Sequence, residues 1–254
     1  MEHLDRLTSL FDHFHLRVRP VLLEKANLVV LRGSKTTQST LIFWPRSIGV
    51  DTHGNESLVN LYVDFGSKSN PLSMALPEQV TEIITADSEM ANLVSLLCSE
   101  QSGERCGSPV VLSRLGEVLV VRILRLQLGR GVTTPGILGG LANPSISKAL
   151  VAIHESPGNM WKNTSLADIA GLSHSRFKQL FAELVGDTPG NYLRRWRLTL
   201  AQIDLKKGDR VDSVAYRYGY QAADAFSRAF QKEFGVRPKA SVAKKVVLKS
   251  VNTL

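Results

Sequence analysis

The chain has 254 residues, 43% of them hydrophobic, and a formal net charge of +8, a length that accommodates two ordinary domains of about 100–200 residues each. Its longest apolar stretch, VVLSRLGEVLVVRILRLQL, is broken by Arg114, Glu117, Arg122 and Arg125, whereas a membrane span needs about 20 nearly uninterrupted apolar residues. The amino terminus, MEHLDRLTSLFDHFHLRVRP, carries acids early and lacks the basic start and apolar core of a signal peptide, so a cytoplasmic protein with no membrane partner is expected.

Charge is unevenly divided. Residues 1–145 hold 13 Lys+Arg against 14 Asp+Glu, a net −1, and residues 146–254 hold 18 against 9, a net +9. A neutral first part joined to a basic second part is the footprint of a module that binds a polyanion. The two cysteines, Cys98 and Cys106, lack the second pair or spaced histidines of a zinc site and read as free thiols.

Taken in chain order, residues 27–65 read as strands: LVVL, LIFW and SLVNLYVDF, rich in β-branched and aromatic residues and bounded by Gly, Ser and Asn. A small antiparallel sheet or barrel follows. After Pro77, Met90, Leu93, Val94 and Leu97 recur at helical spacing, and so do Val111, Leu115, Val118, Leu119, Arg122 and Leu126 in residues 109–128. These form a predicted helical hairpin whose second helix is apolar over more of its circumference than one small sheet covers, as a buried helix or a dimer interface would be. GRGVTTPGILGGLANP, residues 129–144, reads as a linker. Asn143 followed by Pro144 is a helix start, a capping side chain and then a residue that needs no amide donor.

The basic part contains a repeat. AGLSHSRFKQLFAELVGDTP, residues 170–189, aligns with YGYQAADAFSRAFQKEFGVRP, residues 218–238. Each has Gly followed by a bulky apolar residue (Leu172, Tyr220), then two phenylalanines four apart (Phe177 and Phe181; Phe226 and Phe230). Gly then comes five residues on (Gly186, Gly235) and Pro three further (Pro189, Pro238), and an alanine, Ala167 or Ala215, precedes the first Gly by four. Each copy therefore predicts a short helix ending at a glycine with positive φ, a turn, and a second helix whose phenylalanine face is core. A small alanine lets the two helices cross closely, Ser173 is placed to cap the first copy's second helix, and Ser165 with Asp168 resembles a capping box. Between the copies, PGNYLRRWRLTLAQIDLKK reads as one longer helix with Tyr192, Leu193, Trp196, Leu200 and Ile203 as its apolar stripe.

With these residues in place, the segment 146–240 resembles the DNA-binding domain of the AraC/XylS family of bacterial transcription regulators: tandem helix-turn-helix modules, a YLxxWRLxxA-type helix and GYxxxxAFSRAFxxxFGVxP. More loosely, the order of β-rich segment, LSMALP, two helices and linker resembles the cupin-like sensor domain of some members. The resemblance implies an α+β protein: residues 1–130 a cupin-like effector-binding and dimerisation domain built on a small antiparallel β-barrel, 131–144 a linker, 145–242 an all-α tandem helix-turn-helix domain, and 243–254 a basic tail. It also implies a homodimeric, ligand-responsive regulator that binds double-stranded DNA, commonly an activator that engages RNA polymerase, and is not an enzyme.

Recognition helices lie in the major groove. In the first copy the side chains opposite the phenylalanine face are His174, Ser175, Lys178 and Gln179, the last two suited to guanine and adenine. In the second they are Ala223, Asp224, Ser227, Arg228 and Gln231, a poorer set: Ala offers contact only to a thymine methyl, and Asp is repelled by phosphate unless it accepts from cytosine. Arg176, Arg194, Arg195 and Lys232 are candidate phosphate contacts. For an effector, Arg32, Ser34, Lys35 and Thr36 of a hairpin tip, with Arg46 past the next strand, offer cationic and hydroxyl donors to a phosphorylated or carboxylated molecule. Trp44 or Trp161 offers a stacking surface to a nucleotide such as cyclic di-GMP, although the arginine pair of one receptor class for that messenger is absent. A sugar or an organic acid is the alternative effector, and a cupin-type enzyme with a DNA-binding tail or a ligand-blind architectural protein the alternative functions. His13 and His15 have metal-ligand spacing but precede the strands and lack a following Glu, with only His53 further along in the first part of the chain. No metal and no cofactor is expected.

Overall fold

The computed structural model describes residues 5–14, 16–33, 38–49, 55–66, 70–103, 105–130 and 135–241. They form two compact units, one of Phe14–Ala142 and the other of Met1–His13 with Asn143–Leu254. Among the described residues no helix is long and apolar enough to cross a membrane.

The first unit is built on five antiparallel strands in the order β1-β4-β2-β3-β5: β1 (Arg17–Pro20), β2 (Leu28–Arg32), β3 (Gln38–Phe43), β4 (Ser57–Asp64) and β5 (Val80–Thr85). Strand β2 is buried from Leu28 to Leu31 because both faces of the sheet are covered, which is why it reads as a continuous apolar run rather than an alternation. On one face Val29, Leu31 and Ile42 pack with Ala26 under Val21, Leu23 and Trp44. On the other, register sets Leu28 beside Phe43 and Leu61, and Val30 beside Leu41 and Val59. Helices α3 (Ala91–Ser102) and α4 (Ser108–Gly129) cover that face. Gly116 is where α4 meets the sheet: a Cβ there would lie 2.5 Å from Val18 Cγ1 and 3.0 Å from Leu61 Cδ1, so a side chain would push the helix off.

Three sequence expectations are corrected in this unit. The sheet is open and not a closed barrel: among the described residues β1 and β5 are its two edges. Each edge resists further pairing in a recognisable way, β1 by being four residues long and ending in Pro20, β5 by carrying an inward charge, Glu82. Glu82 is buried and held bidentately by Arg130 at 2.5 and 2.7 Å, with Gln127 at 3.3 Å. On α4 the buried stripe is Leu112, Gly116, Leu119, Val120, Ile123 and Leu124, so Val111 and Val118 of the expected stripe face outward. Finally, the Gly/Pro-rich segment read as linker contains α5 (Ile137–Ala142), buried from Ile137 to Leu141 against α4 and the short helix α2 (Pro71–Ala75). Gly139 and Gly140 disguise an apolar helix as a breaker cluster. Residues 131–134 lie outside the described residues.

The second unit is helical: α1 (Thr8–His13), α6 (Pro144–Glu155), α7 (Asn163–Ala170), α8 (His174–Val185), α9 (Pro189–Lys207), α10 (Val211–Arg217) and α11 (Ala223–Phe234). Asn143 caps α6, its side chain accepting from the amides of Ser145 and Ile146. Helix α1 packs on α6, so the first described residues belong with the basic unit and not with the sheet that follows them. Helix α7 starts at Asn163 with no side-chain cap, which places Ser165 inside the helix and removes the expected capping box. Of the expected apolar stripe of α9, Tyr192, Leu193, Trp196 and Leu200 are buried and Ile203 is half-buried.

Candidate nucleic-acid interface

Helix α7 ends at Gly171 with φ +68°, a left-handed residue that L side chains avoid. The Gly171 amide donates to the Asp168 carbonyl and the Leu172 amide to that of Ala167, both at 3.0 Å. The chain then enters α8, where the Ser173 side chain accepts from the Arg176 amide. Phe177 and Phe181 are fully buried, their centroids 5.6 Å apart, and Phe181 meets Tyr192 of α9 edge-on at 5.7 Å. That packing turns His174, Ser175, Arg176, Lys178 and Gln179 to the opposite face, where all are exposed.

The second pair repeats this geometry. Gly219 has φ +76°, its amide donates to the Tyr216 carbonyl and the Tyr220 amide to that of Ala215, again at 3.0 Å. Phe226 and Phe230 of α11 are buried with centroids 5.6 Å apart. Asp224, Arg228 and Lys232 are exposed, while Ala223 and Ser227 are half-buried. The N-cap of α11 is Ala222, which provides no side-chain acceptor.

Arg194 and Arg195 are exposed on α9, but Arg195 is held by Asp187 at 2.6 Å. A phosphate would have to compete with that carboxylate. Beneath the first pair, His154 of α6 is wholly buried, its Nε2 2.6 Å from the Tyr192 hydroxyl and its ring 4.2 Å from that of Trp196. Its carbonyl meets Nε2 of His13 at 3.2 Å. Burial, with His13 nearby, pulls His154 down to about 3, and burial pushes the Tyr192 phenol upward. Both are neutral core groups, and His13 is part of this packing.

Of the expected effector residues, Arg32 and Arg46 of the first unit are held apart, at opposite ends of the β2–β3 pair. Arg32 lies at the turn end of β2, paired in register with Ser39, and is held by Glu56 at 2.7 Å. Arg46 follows the far end of β3, a strand about 20 Å long, where its Nη1 donates to the carbonyls of Ser73 and Leu76 at 2.8 and 2.7 Å. Trp161 belongs to the helical unit, and its indole donates to the Ser156 carbonyl at 2.9 Å. Ser34, Lys35 and Thr36 lie outside the described residues, as do His15 and His53. What joins Arg46 instead is a cleft of about 560 Å³ lined by Pro45, Ile48, Tyr62, Asp64 and Phe65 among others.

Sequence reading missed Arg197 of α9, whose Nε and Nη2 donate to the Pro157 and Asn159 carbonyls at 2.6 and 2.7 Å. Burial pulls its guanidinium below the usual arginine value. Pro157-Gly158 is a turn-favouring dipeptide, but nothing in the sequence says what holds it.

A unit of two glycine-turned helix pairs on one connecting helix, accompanied by an antiparallel-sheet unit, defines the class. Residues 166–243 match a helix-turn-helix domain family and residues 13–129 a cupin family. A putative AraC-like transcription regulator of Streptomyces lividans is 33% identical over 181 residues, which cover 68% of this chain and 59% of that protein. The HTH-type transcriptional regulator AlkR of Acinetobacter baylyi is 34% identical over 208 residues, covering 82% and 64%. Among solved structures, ToxT of Vibrio cholerae O395 is similar with a TM-score of 0.41 and 11% identity, covering 90% of this chain and 93% of that one.

The chain belongs to the AraC family of transcription regulators, with a cupin domain ahead of its helix-turn-helix domain. It spans 59% and 64% of the length of these two curated relatives.

Proposed function

We propose that this protein is a sequence-specific regulator of transcription that binds double-stranded DNA, with α8 and α11 as recognition helices. The observation that carries this reading is the face of α8. The side chains of Lys178 and Gln179 are exposed there with no hydrogen bond or ion pair among the described residues, while Phe177 and Phe181 on the other face anchor the helix. Unpartnered donors on a rigid helix can meet base edges without first breaking an internal bond. His174 and Ser175 flank them, and Arg176 and Arg194 supply phosphate contacts. Ala223, Asp224, Ser227 and Arg228 of α11 make the weaker reader, with Arg228 and Lys232 anchoring the backbone.

The sheet-bearing unit is then the sensor, and the cleft beside Arg46 is a candidate receptacle within it. Arg46 spends one nitrogen on two carbonyls, and its other N–H groups have no partner among the described residues, which suits a small organic acid or a phosphorylated molecule with an apolar part for Ile48 and Phe65. The outward stripe of α4, with Val110, Val111 and Val118 exposed and Leu96 of α3 nearby in the hairpin, is the face we assign to a second copy of the chain. Activation through RNA polymerase completes the proposal.

The test is selection of duplexes from a random pool by the full chain. A recovered consensus that loses base preference with Lys178→Ala or Gln179→Ala supports the reading; an unchanged profile in both variants removes the assignment of α8. A panel of organic acids, sugars and nucleotides in a thermal-shift assay checks the sensor. A shift abolished by Arg46→Ala is expected, and DNA affinity indifferent to every compound would favour a ligand-blind architectural protein.

A further inference from the structure

The loop between α6 and α7, Ser156–Lys162, is gripped from two sides within the helical unit. From α9, the Arg197 fork holds the Pro157 and Asn159 carbonyls. The loop is closed on itself by the Asn159 amide to the Ser156 carbonyl at 3.2 Å and the Trp161 indole to the same carbonyl at 2.9 Å. On its other side it meets the turn of the second helix pair. A Cβ on Gly158 would lie 2.4 Å from the Arg217 carbonyl oxygen, and a Cβ on Gly219 would lie 2.7 Å from the Gly158 carbonyl oxygen and 3.2 Å from Arg197 Nη2. The equivalent turn glycine of the first pair, Gly171, has nothing within 4 Å of its Cβ position. The contact is therefore particular to the second turn and not a requirement of the motif.

The second pair is tied to α9 as well. Arg217 reaches Asp204 and Asp209 at 2.5 and 2.7 Å, and the Tyr218 hydroxyl donates to Asp204 at 2.7 Å. The loop that leads into α7, the connecting helix and the turn before α11 thus converge on Arg197. A planar guanidinium can satisfy two carbonyls in one fixed orientation, where a lysine ammonium on a flexible stem would not hold both so rigidly.

We propose that Arg197, acting through the Gly158 and Gly219 contact, is a positioning residue that fixes the angle between α8 and α11 and so sets the spacing of the two DNA segments they read. The inference rests on the DNA-binding reading above. Inserting one base pair between the two segments turns one against the other by about a tenth of a helical turn. A clamped pair of helices cannot follow that rotation, and a loosened pair can.

The experiment measures the full chain on its selected duplex and on duplexes with one base pair inserted or removed between the segments. The wild type is expected to lose about tenfold in affinity at altered spacing, the scale of one wrong base pair. Arg197→Met should reduce that penalty to about threefold with its base preference retained, and Arg197→Lys should fall between. A merely structural role would weaken all spacings in parallel and leave the ratio unchanged. The proposal is overturned if the wild type tolerates altered spacing, or if Arg197→Met keeps the wild-type ratio. Should Arg197→Met fail to fold, the wild-type ratio and Arg197→Lys decide the matter on the same criterion. Failure of the wild type to select any duplex is a separate outcome that removes the DNA-binding reading and this inference with it.

Discussion

The two helix pairs share one scaffold and differ in almost everything attached to it. Their turn glycines have φ of +68° and +76°, their alanine carbonyls accept from the fifth residue on at the same 3.0 Å, and their phenylalanine centroids are 5.6 Å apart in both. Yet α8 is capped by Ser173 and presents unpartnered Lys178 and Gln179, whereas α11 is capped by Ala222 and presents Asp224 near its start. The Gly171 turn stands free, and the Gly219 turn is packed against Gly158 and Arg197. The difference teaches that the repeat fixes the buried positions only. Exposed chemistry and attachment to the rest of the unit are settled by residues outside the repeated pattern, and the first pair is the one whose turn is left without a neighbour.

The largest effects should be common to both pairs. Phe181→Ala and Phe230→Ala each remove a fully buried ring, and each should cost about 3–5 kcal/mol in denaturant unfolding. If one loss were smaller by more than about half, the two scaffolds would not be equivalent, and the shared ring geometry would mislead. The glycines should then separate them. Gly171→Ala meets no neighbour and should cost only the left-handed strain, about 1–2 kcal/mol. Gly219→Ala carries the same strain and also drives a methyl against the Gly158 carbonyl, a backbone atom that cannot swing away, so its loss should be at least about 2–3 kcal/mol. Equal losses would mean that the loop yields freely.

Spacing made the helical unit legible because every position in the repeat has one dominant local cause: a positive φ, a cap, a buried ring. The Ser173 cap, the Asn143 start and the Phe faces were all readable in this way. The sheet unit was less so. Strand β5 hid because Glu82 occupies a core-facing position, and its neutralisation by Arg130, 48 residues on, is invisible to a local window. Helix α5 hid behind its glycines, and the outward turn of Val111 and Val118 followed from Gly116 choosing the face that meets β1. Of the proposed site, the exposed face of α8 was legible and the hold of Arg197 on its loop was not, since a surface-type residue between Trp196 and Leu198 carries no sign of the loop it holds.

The first pair should also be the more sensitive to acid, because it rests on a buried histidine and the second does not. His154 is neutral in the fold with its value pulled to about 3, against about 6.5 when exposed, and its buried Nδ1 has no acceptor for a second proton. Below pH 6.5 the unfolded chain therefore binds a proton that the folded one refuses. Stability is at its full value above pH 6.5 and falls as the pH drops towards 3, by about 1.4 kcal/mol per unit, or about 2 kcal/mol by pH 5. Urea unfolding of the wild type and of His154→Gln at pH 7 and pH 5 checks this: the variant should lose most of the difference between the two pH values. A wild-type midpoint that did not move would mean that water or a rearranged acceptor reaches Nδ1 in the fold.

The smallest effect is the most selective probe of the asymmetry, since it can be moved in both directions. Ser173 accepts the Arg176 amide, and Ser173→Ala should cost about 1 kcal/mol. Ala222 is exposed and already extended, at φ −139° and ψ 135°, so a serine there can adopt the capping geometry without moving the chain. The early amides of α11 lack a side-chain acceptor at the cap, and Asp224 in the first turn supplies favourable charge. Ala222→Ser should therefore gain up to about 1 kcal/mol, and the double variant should lie near the wild type if the two caps act independently. Were Ala222→Ser neutral while Ser173→Ala still destabilised, the missing cap would be compensated by Asp224, and the two helix starts would be energetically equal despite their different chemistry.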